Sequence, residues 1–211
     1  MAKITETKGY VLTGPAARFY DAVNLFFGVT LVNRRHLRLI QLKPGEHLLD
    51  IGCGTAEIIE MLFREHGDRV FLYGIDASSD ILRVAREKLG SRPTIRLETG
   101  LAGNLPYPDE TFHWVVSCLT THHLPLAEKR AMLSECYRVL RPGGRLVTSD
   151  FGKPRNLLGK VVALPWRIHA YSKENMEDVM IGLVEESGLR DVESNLQAGL
   201  IQHLTATKHG P

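Results

Sequence analysis

The chain lacks several residue patterns that define large classes of protein. It has only three cysteines in 211 residues, Cys53, Cys118 and Cys136, and none belongs to a C-x-x-C pair. An odd number of widely spaced cysteines indicates reduced thiols in a cytosolic compartment and not a disulfide framework. The histidines are also too scattered for a metal-ligand spacing, so no metal site is expected.

Long apolar runs and a strong charge of one sign are missing as well. The chain contains no apolar run of about 18 residues, and its first residues, MAKITETKGY, lack the apolar core of a secretory signal. We therefore expect a cytoplasmic protein that is neither secreted nor membrane-spanning. The net charge of +2 is too small for the basic surface of a dedicated nucleic-acid binder, so nucleic acid is not expected as a partner.

The composition, 44% hydrophobic and 24% charged, is that of one ordinary globular domain. Strand patterns near 46–52, 69–76, 94–98, 113–119 and 144–150 alternate with helical patterns, which predicts an α/β fold with a parallel sheet. Lys129 and Arg130 are expected on a solvated helix face. The expected parts of the single domain 1–211 are an N-terminal helical cover at 1–42, a core at 43–151, an insert at 152–172 and a C-terminal helix and hairpin at 173–208.

The segment LLDIGCGTAEI at 48–58 runs from an apolar strand through a glycine turn into a helix. Gly52 and Gly54 allow the backbone to approach a ligand without an intervening Cβ, and Asp50 lies just before them. A second apolar strand, RVFLYGID, ends in Asp76, whose carboxylate can accept hydrogen bonds from a ribose diol. Because ligands bind at the carboxyl ends of such strands, the two elements together predict a nucleoside site.

The residue at position 57 separates two kinds of nucleoside. A dinucleotide-binding turn has a third glycine there and places a diphosphate on the helix N-terminus, whereas this chain has Glu57. A carboxylate in the first helical turn suits the helix dipole but repels a diphosphate. The charge pattern therefore favours S-adenosylmethionine, whose ammonium and sulfonium groups are positive.

Four segments in sequence order resemble class I S-adenosylmethionine-dependent methyltransferases, in the broad group that includes ubiquinone/menaquinone C-methyltransferases and phospholipid N-methyltransferases. They are LLDIGCGTAEI, YGIDASSDIL, NLPYPDETFHWVVSCLTTHHL and YRVLRPGGRLVTSDF. The resemblance implies a Rossmann-like seven-stranded, mostly parallel sheet with an antiparallel C-terminal edge and helices on both faces. It also implies a cofactor site made by Asp50, Gly52, Cys53, Gly54, Asp76, Ala77, Leu101, Ala102 and Cys118.

Within that site, the resemblance places the methionine part of the cofactor at Asp50 and the glycines, the ribose at Asp76 and the adenine edge at Ala77. Members of the group usually carry an acidic residue where this chain has Leu101, which cannot accept a hydrogen bond from the adenine amino group. The backbone amide of Ala102 can still reach an adenine ring nitrogen. Weaker or differently satisfied adenine recognition is therefore expected.

Methyl transfer needs few side chains, because the protein mainly has to hold the acceptor atom, the methyl carbon and the sulfur in line. A base is needed only where the acceptor must lose a proton. The candidates are His122 and His123 in SCLTTHHLP, and Tyr20 in the helical cover. Each also has a structural interpretation, the histidines as part of a turn that caps the next helix and Tyr20 as a core aromatic.

The segment 153–171, KPRNLLGKVVALPWRIHAY, combines basic and apolar residues and contains no acidic residue. Such a segment suits contact with an anionic membrane surface, or it roofs the acceptor pocket while its charges are solvated. We expect a small-molecule or lipid-soluble acceptor, with a quinol or a phospholipid head group favoured, and peripheral membrane contact through this segment. Two other functions stay open: a non-catalytic S-adenosylmethionine-binding module, suggested by Leu101, and an NAD-dependent oxidoreductase, which Glu57 disfavours.

Overall fold

A computed structural model describes residues 29–163, 175 and 177–210. Its centre is a seven-stranded sheet in the order β3-β2-β1-β4-β5-β7-β6. Strands β1 to β5 pair in parallel, and β7 runs antiparallel to both β5 and β6. This confirms the predicted mostly parallel sheet with an antiparallel C-terminal edge. The strands are β1 His47–Ile51, β2 Phe71–Asp76, β3 Ile95–Thr99, β4 Phe112–Cys118, β5 Leu140–Phe151, β6 Arg190–Gln197 and β7 Ile201–Thr207.

Helices cover both faces of the sheet, as the apolar strands require. In the described part of the chain they are α1 Val29–Leu37, α2 Glu57–His66, α3 Ser79–Leu89, α4 Leu126–Val139, α5 Leu157–Ala163 and α6 Val179–Glu186. Leu48 packs in a cluster with residues of α2 and α3, whereas its neighbour Leu49 packs in a second cluster with residues of α4 and α6. Successive side chains of a strand point to opposite faces, which explains why β1 is a continuous apolar run. None of the described helices has the length and apolar character needed to cross a bilayer.

Strand order places a crevice between β1 and β4. The chain moves outward from β1 through β2 to β3 on one side, and from β4 to β5 on the other. The loops that follow β1 and β4 therefore leave the sheet in opposite directions, and ligands of open α/β sheets bind in the gap that results. The glycine turn follows β1, and the histidine pair follows β4.

Two details differ from the sequence-based expectations. Strand β5 begins at Leu140 and not near residue 144, because Leu140 already pairs with Phe112 and Gly143 takes a φ of 78° within the strand. Lys129 is fully buried, so its predicted position on a solvated face was wrong. It shares the buried stripe of α4 with Met132, Leu133 and Cys136, at the spacing of one helix face. Arg130 does lie at the surface, where it pairs with Glu186.

Candidate functional site

A pocket opens at the crevice between β1 and β4. It contains five of the nine residues predicted for the cofactor, namely Asp50, Gly52, Cys53, Gly54 and Cys118. Six further residues complete its wall: Val29, Asn33, Thr55, Glu57, Ile58 and Leu119. The four other predicted residues, Asp76, Ala77, Leu101 and Ala102, do not line this pocket. Asp76 instead accepts a hydrogen bond from the glycine turn. The pocket thus has acidic, glycine-rich and apolar parts.

The glycine turn is shaped so that only glycine fits its first position. Gly52 has a φ of 70° and Gly54 a φ of 54°. A Cβ on Gly52 would overlap the side chain of Thr120, which follows β4. The amides of Gly52 and Cys53 both donate to the carbonyl of Ile75, at 2.8 and 3.1 Å. The turn is therefore fixed between the ends of β2 and β4, and its residues line the pocket.

Asp50 is a buried carboxylate, with 2% of its surface exposed, on the wall of this pocket. No group within the described residues donates a hydrogen bond to its side chain. Burial, and to a smaller extent the nearby Asp76, raise the pKa of Asp50 to about 8. A positive group in the pocket would reverse this cost, because an opposite charge favours the ionised carboxylate.

Glu57 supplies a second acidic group to the same wall, from the first turn of α2. No arginine or lysine belongs to the wall among the residues that the structure describes. Two carboxylates and no cation make the pocket unsuitable for a diphosphate and suitable for an ammonium or sulfonium group. Asp50 therefore fits the positive methionine end of S-adenosylmethionine.

Asp76 closes β2 and ties the glycine turn to the next helix. Its Oδ2 accepts the amide hydrogen of Gly54 and its Oδ1 that of Ser78, each at 2.9 Å. Burial raises the pKa of Asp76, and these backbone hydrogen bonds partly offset the rise. Each carboxylate oxygen retains a lone pair for a ribose hydroxyl. Ala77 lies beside it at the surface.

Leu101 and Ala102 lie at the β3 side of this edge. The amide of Gly100 donates to the carbonyl of Asp76 at 3.0 Å, and Leu101 forms an isolated bridge with Asn104. Both Leu101 and Ala102 are half-buried and neither belongs to the pocket wall between β1 and β4. Leu101 offers no side-chain acceptor there, as the sequence indicated.

Helix α1 brings a residue to the pocket that the sequence did not reveal. Asn33 is 4% exposed, and its Oδ1 accepts the thiol hydrogen of Cys118 at 3.3 Å. Burial raises the pKa of Cys118, so the sulfur stays a thiol and can donate. One turn later His36 Nδ1 lies 2.6 Å from Ser149 Oγ. Polar residues on the buried face of a cover helix were the available signal. Tyr20 lies outside the described residues.

The predicted histidines lie in a short 3₁₀ turn, Thr121–His123, directly after the Thr120 that contacts Gly52. His122 is 5% exposed, and its Nδ1 lies 2.8 Å from Oδ1 of Asp150 at the end of β5. The ring of His123 lies against that of His122, with centroids 3.8 Å apart. The structure thus pairs His122 with a carboxylate and gives His123 a packing position.

Asp150 was missed in the sequence. It is 5% exposed and accepts hydrogen bonds at both oxygens, including 2.7 Å from Thr121 Oγ1 and 2.7 Å from the amide of Phe151. Burial alone would raise the pKa of Asp150, but the charge and hydrogen bond of His122 together with these other donors hold it below its usual range. The signal was the same as for Asp50 and Asp76, an aspartate after an apolar strand, here LVTSD.

Comparisons with known proteins show a methyltransferase domain in this chain. A family model described as a methyltransferase domain matches residues 48–144. The demethylmenaquinone methyltransferase of Symbiobacterium thermophilum is 32% identical over 144 residues, which cover 65% of this chain and 57% of that protein. That of Listeria welshimeri is 30% identical over 159 residues, which cover 73% of this chain and 66% of that protein. The chain therefore spans less than two thirds of the length of these relatives.

Solved structures show the same fold. Phosphoethanolamine N-methyltransferase 2 of Haemonchus contortus, in complex with S-adenosyl-L-methionine, superposes with a TM-score of 0.71 at 17% identity, over 84% of this chain and 52% of that one. A putative methyltransferase of Bacillus halodurans superposes with a TM-score of 0.66 at 20% identity, over 84% and 99% of the two chains.

The sheet order and these matches define the Rossmann-like α/β fold of class I methyltransferases. The acidic pocket at the glycine turn suits a nucleoside without phosphate groups. The chain contains a methyltransferase domain at residues 48–144 and is similar to class I S-adenosylmethionine-dependent methyltransferases in sequence and in fold.

The contact between Gly52 and Thr120 predicts an asymmetric response to alanine. Gly52→Ala and Gly45→Ala both place a side chain at positive φ, but a Cβ on Gly45 has nothing within 4 Å. We expect Gly45→Ala to cost about 1 kcal/mol of unfolding free energy. Gly52→Ala should cost about 1–3 kcal/mol more and should abolish binding of S-adenosylhomocysteine. Chemical denaturation and calorimetric titration measure both, and equal effects of the two variants would show that Thr120 is not the constraint.

The buried Asp50 predicts that its neutralisation stabilises the empty protein. Between its usual value of 3.8 and about 8, folded Asp50 keeps a proton that the unfolded chain loses, so stability falls as pH rises through this window. Asp50→Asn removes that fall, and we expect it to raise the unfolding free energy by about 1–3 kcal/mol at pH 8 and by little at pH 4. The same variant should weaken cofactor binding at least about 30-fold.

Asp68→Asn is the matched control, because Asp68 is exposed and accepts a hydrogen bond from the Thr94 hydroxyl at the protein surface. Its stability difference from the original chain should not change between pH 4 and pH 8. A destabilised Asp50→Asn variant with unchanged cofactor affinity would contradict the role assigned to Asp50.

Proposed function

We propose that the chain transfers the methyl group of S-adenosylmethionine to a ring carbon of a quinol-like, lipid-soluble acceptor. The observation that carries this proposal is the buried His122–Asp150 pair. His122 follows β4, which flanks the cofactor pocket, and Asp150 lies near the end of the neighbouring strand β5. A phenolic acceptor needs a base, because loss of its hydroxyl proton makes the neighbouring ring carbon nucleophilic. The relatives named as demethylmenaquinone methyltransferases support the same class of acceptor.

The residues divide the work between binding and proton transfer. Bound S-adenosylmethionine supplies an electrophilic methyl carbon on a positive sulfur. Asp50 and Glu57 hold the positive end of that molecule, and the rigid turn at Gly52 fixes its position. Asp150 accepts the hydrogen of Nδ1 of His122, so Nε2 is the ring nitrogen that takes the hydroxyl proton of the acceptor. As the new carbon–carbon bond forms, the bond between sulfur and methyl carbon breaks, and the methylated ring carbon then loses its own hydrogen as a proton, which restores the aromatic ring.

The proposal predicts a defined product. The protein is incubated with S-adenosylmethionine carrying a deuterated methyl group and, in separate reactions, dithionite-reduced demethylmenaquinone with a short tail, phosphatidylethanolamine, or no acceptor. Mass spectrometry should find the label on the reduced quinone. His122→Gln should lower kcat about 10²- to 10⁴-fold with unchanged affinity for S-adenosylhomocysteine, whereas His123→Gln should have a much smaller effect. Label on the phospholipid would show that the acceptor is a phospholipid head group and not a quinol. Cofactor binding without turnover would favour a non-catalytic module.

We also propose that helix α5 contacts an anionic membrane surface. Leu157 is 79% exposed and Val161, one turn later, is 55% exposed. Lys153 and Lys160 are exposed nearby, so apolar and positive groups occupy one region of the surface. This combination suits the boundary between anionic head groups and acyl chains, where a lipid-soluble acceptor would enter. The remainder of the predicted contact, 164–171, lies outside the described residues.

Vesicle sedimentation tests this contact. The protein should sediment with phosphatidylglycerol vesicles and not with phosphatidylcholine vesicles. Leu157→Ser combined with Val161→Ser should reduce the bound fraction at least about tenfold, since burying such side chains contributes about 1.5–3 kcal/mol each. Leu31→Ser is the control, because Leu31 is 61% exposed on a different helix. Equal binding of both vesicle types, or an equal loss in the control, would contradict the contact through α5.

A further inference from the structure

Asn175 begins a chain of buried hydrogen bonds that ends at His122. Its Nδ2 lies 3.0 Å from Thr121 Oγ1, which lies 2.7 Å from Oδ2 of Asp150. Oδ1 of Asp150 in turn lies 2.8 Å from Nδ1 of His122. Asn175 and Thr121 are 0% and 1% exposed, and the other two members are 5% exposed. Three separate parts of the chain therefore meet in one solvent-excluded network.

The direction of every hydrogen bond in this network is determined by Asp150. An ionised carboxylate only accepts hydrogen bonds, and against the effect of burial, the charge and hydrogen bond of His122, with the donors Thr121 and Phe151, hold the pKa of Asp150 below its usual range. Thr121 must therefore donate its single hydroxyl hydrogen to Asp150, and Nδ1 of His122 must carry a hydrogen. The Thr121 oxygen is left to accept, and the Asn175 amide supplies the donor.

The amide of Asn175 cannot be turned around without loss. Its Oδ1 has no hydrogen-bond partner within the described residues, although the residue is fully buried. A flipped amide would place this oxygen against the Thr121 oxygen, whose hydrogen is already committed to Asp150. An unpartnered buried carbonyl is unfavourable for folding. The hydrogen bond that Asn175 donates to Thr121 therefore explains this orientation of the amide, because the oxygen of the same amide gains no hydrogen bond within the described residues.

We propose that Asn175 and Thr121 are positioning residues for His122. Together they hold Asp150 so that its Oδ1 faces the imidazole, which keeps His122 in the tautomer with hydrogen on Nδ1 and leaves Nε2 to accept a proton. Asn175 is the third residue after the insert 152–172 in the sequence, so the network connects the region that follows this segment to the candidate base. The inference deepens the proposed function, since it assigns the residues that prepare the same base.

Nitrogen-15 NMR of the imidazole groups tests this inference without any acceptor. The His122 signals are assigned by their absence from the His122→Gln variant. In the original chain at pH 8, we expect His122 almost entirely as the Nδ1–H tautomer. Thr121→Val keeps the shape but removes the hydroxyl, and should lower the ratio of Nδ1–H to Nε2–H about three- to tenfold. Thr121→Ser keeps the hydroxyl and should retain the original ratio.

Asn175→Leu separates positioning from a structural role. It replaces the amide by an apolar side chain of similar size, and should lower the tautomer ratio about two- to threefold while the protein melts at or above the original temperature. Where the quinol is methylated, kcat should fall in parallel and KM for the quinol should not change. An unaltered His122 spectrum in Thr121→Val or Asn175→Leu overturns the inference. Failure of Asn175→Leu to fold also overturns it, because the residue would then be structural.

These outcomes are distinct from failure of the proposed function. If no quinol is methylated but the spectra change as expected, the network still positions His122 and only the acceptor is wrong. If the quinol is methylated and the spectra do not change, the reaction stands and the positioning role is wrong.

Discussion

Asp50, a buried carboxylate with no hydrogen-bond donor in the part of the chain that the structure describes, is the constraint on which the site depends. It lies near the end of the central strand β1, where the wall of the pocket contains a second acid and no cation among the described residues. Burying an unpaired charge is costly, and burial raises the pKa of Asp50 to about 8. A ligand with a positive group removes this cost, so the empty pocket favours such a ligand over a phosphate. S-adenosylmethionine, the cofactor of the methyltransferases that this chain resembles, carries such a positive group.

The rest of the fold brings the other candidate site residues to the same edge of the sheet as this carboxylate. Parallel strands β1, β2, β4 and β5 end at the same edge of the sheet, and three of them end in or near an aspartate. Asp76 holds the glycine turn, Asp50 faces the pocket, and Asp150 holds His122. The three aspartates thus differ in environment: the described residues donate no hydrogen bond to the Asp50 side chain, whereas backbone amides donate to Asp76 and several side-chain and backbone groups donate to Asp150.

The fold was largely predictable because its strands are buried on both faces and its turns carry glycine. Strand positions such as 71–76 and the antiparallel edge follow from apolar pattern and from the resemblance. The polar contacts between distant segments were not predictable. Asn33, Thr121 and Asn175 are ordinary polar residues in the sequence, and only the packing of α1 and of the segment after the insert reveals their partners. The charge of Lys129 predicts a solvated position, but its place on the apolar stripe of α4 decides its burial.

Proton release on cofactor binding tests the role of Asp50 most directly. Calorimetric titration with S-adenosylmethionine at pH 7, in buffers with different heats of ionisation, counts the protons that leave the protein. Because the pKa of Asp50 lies near 8 in the empty pocket, a positive ligand should release about one proton on binding, and Asp50→Asn should release none. Binding with no proton release from the original chain would contradict the account.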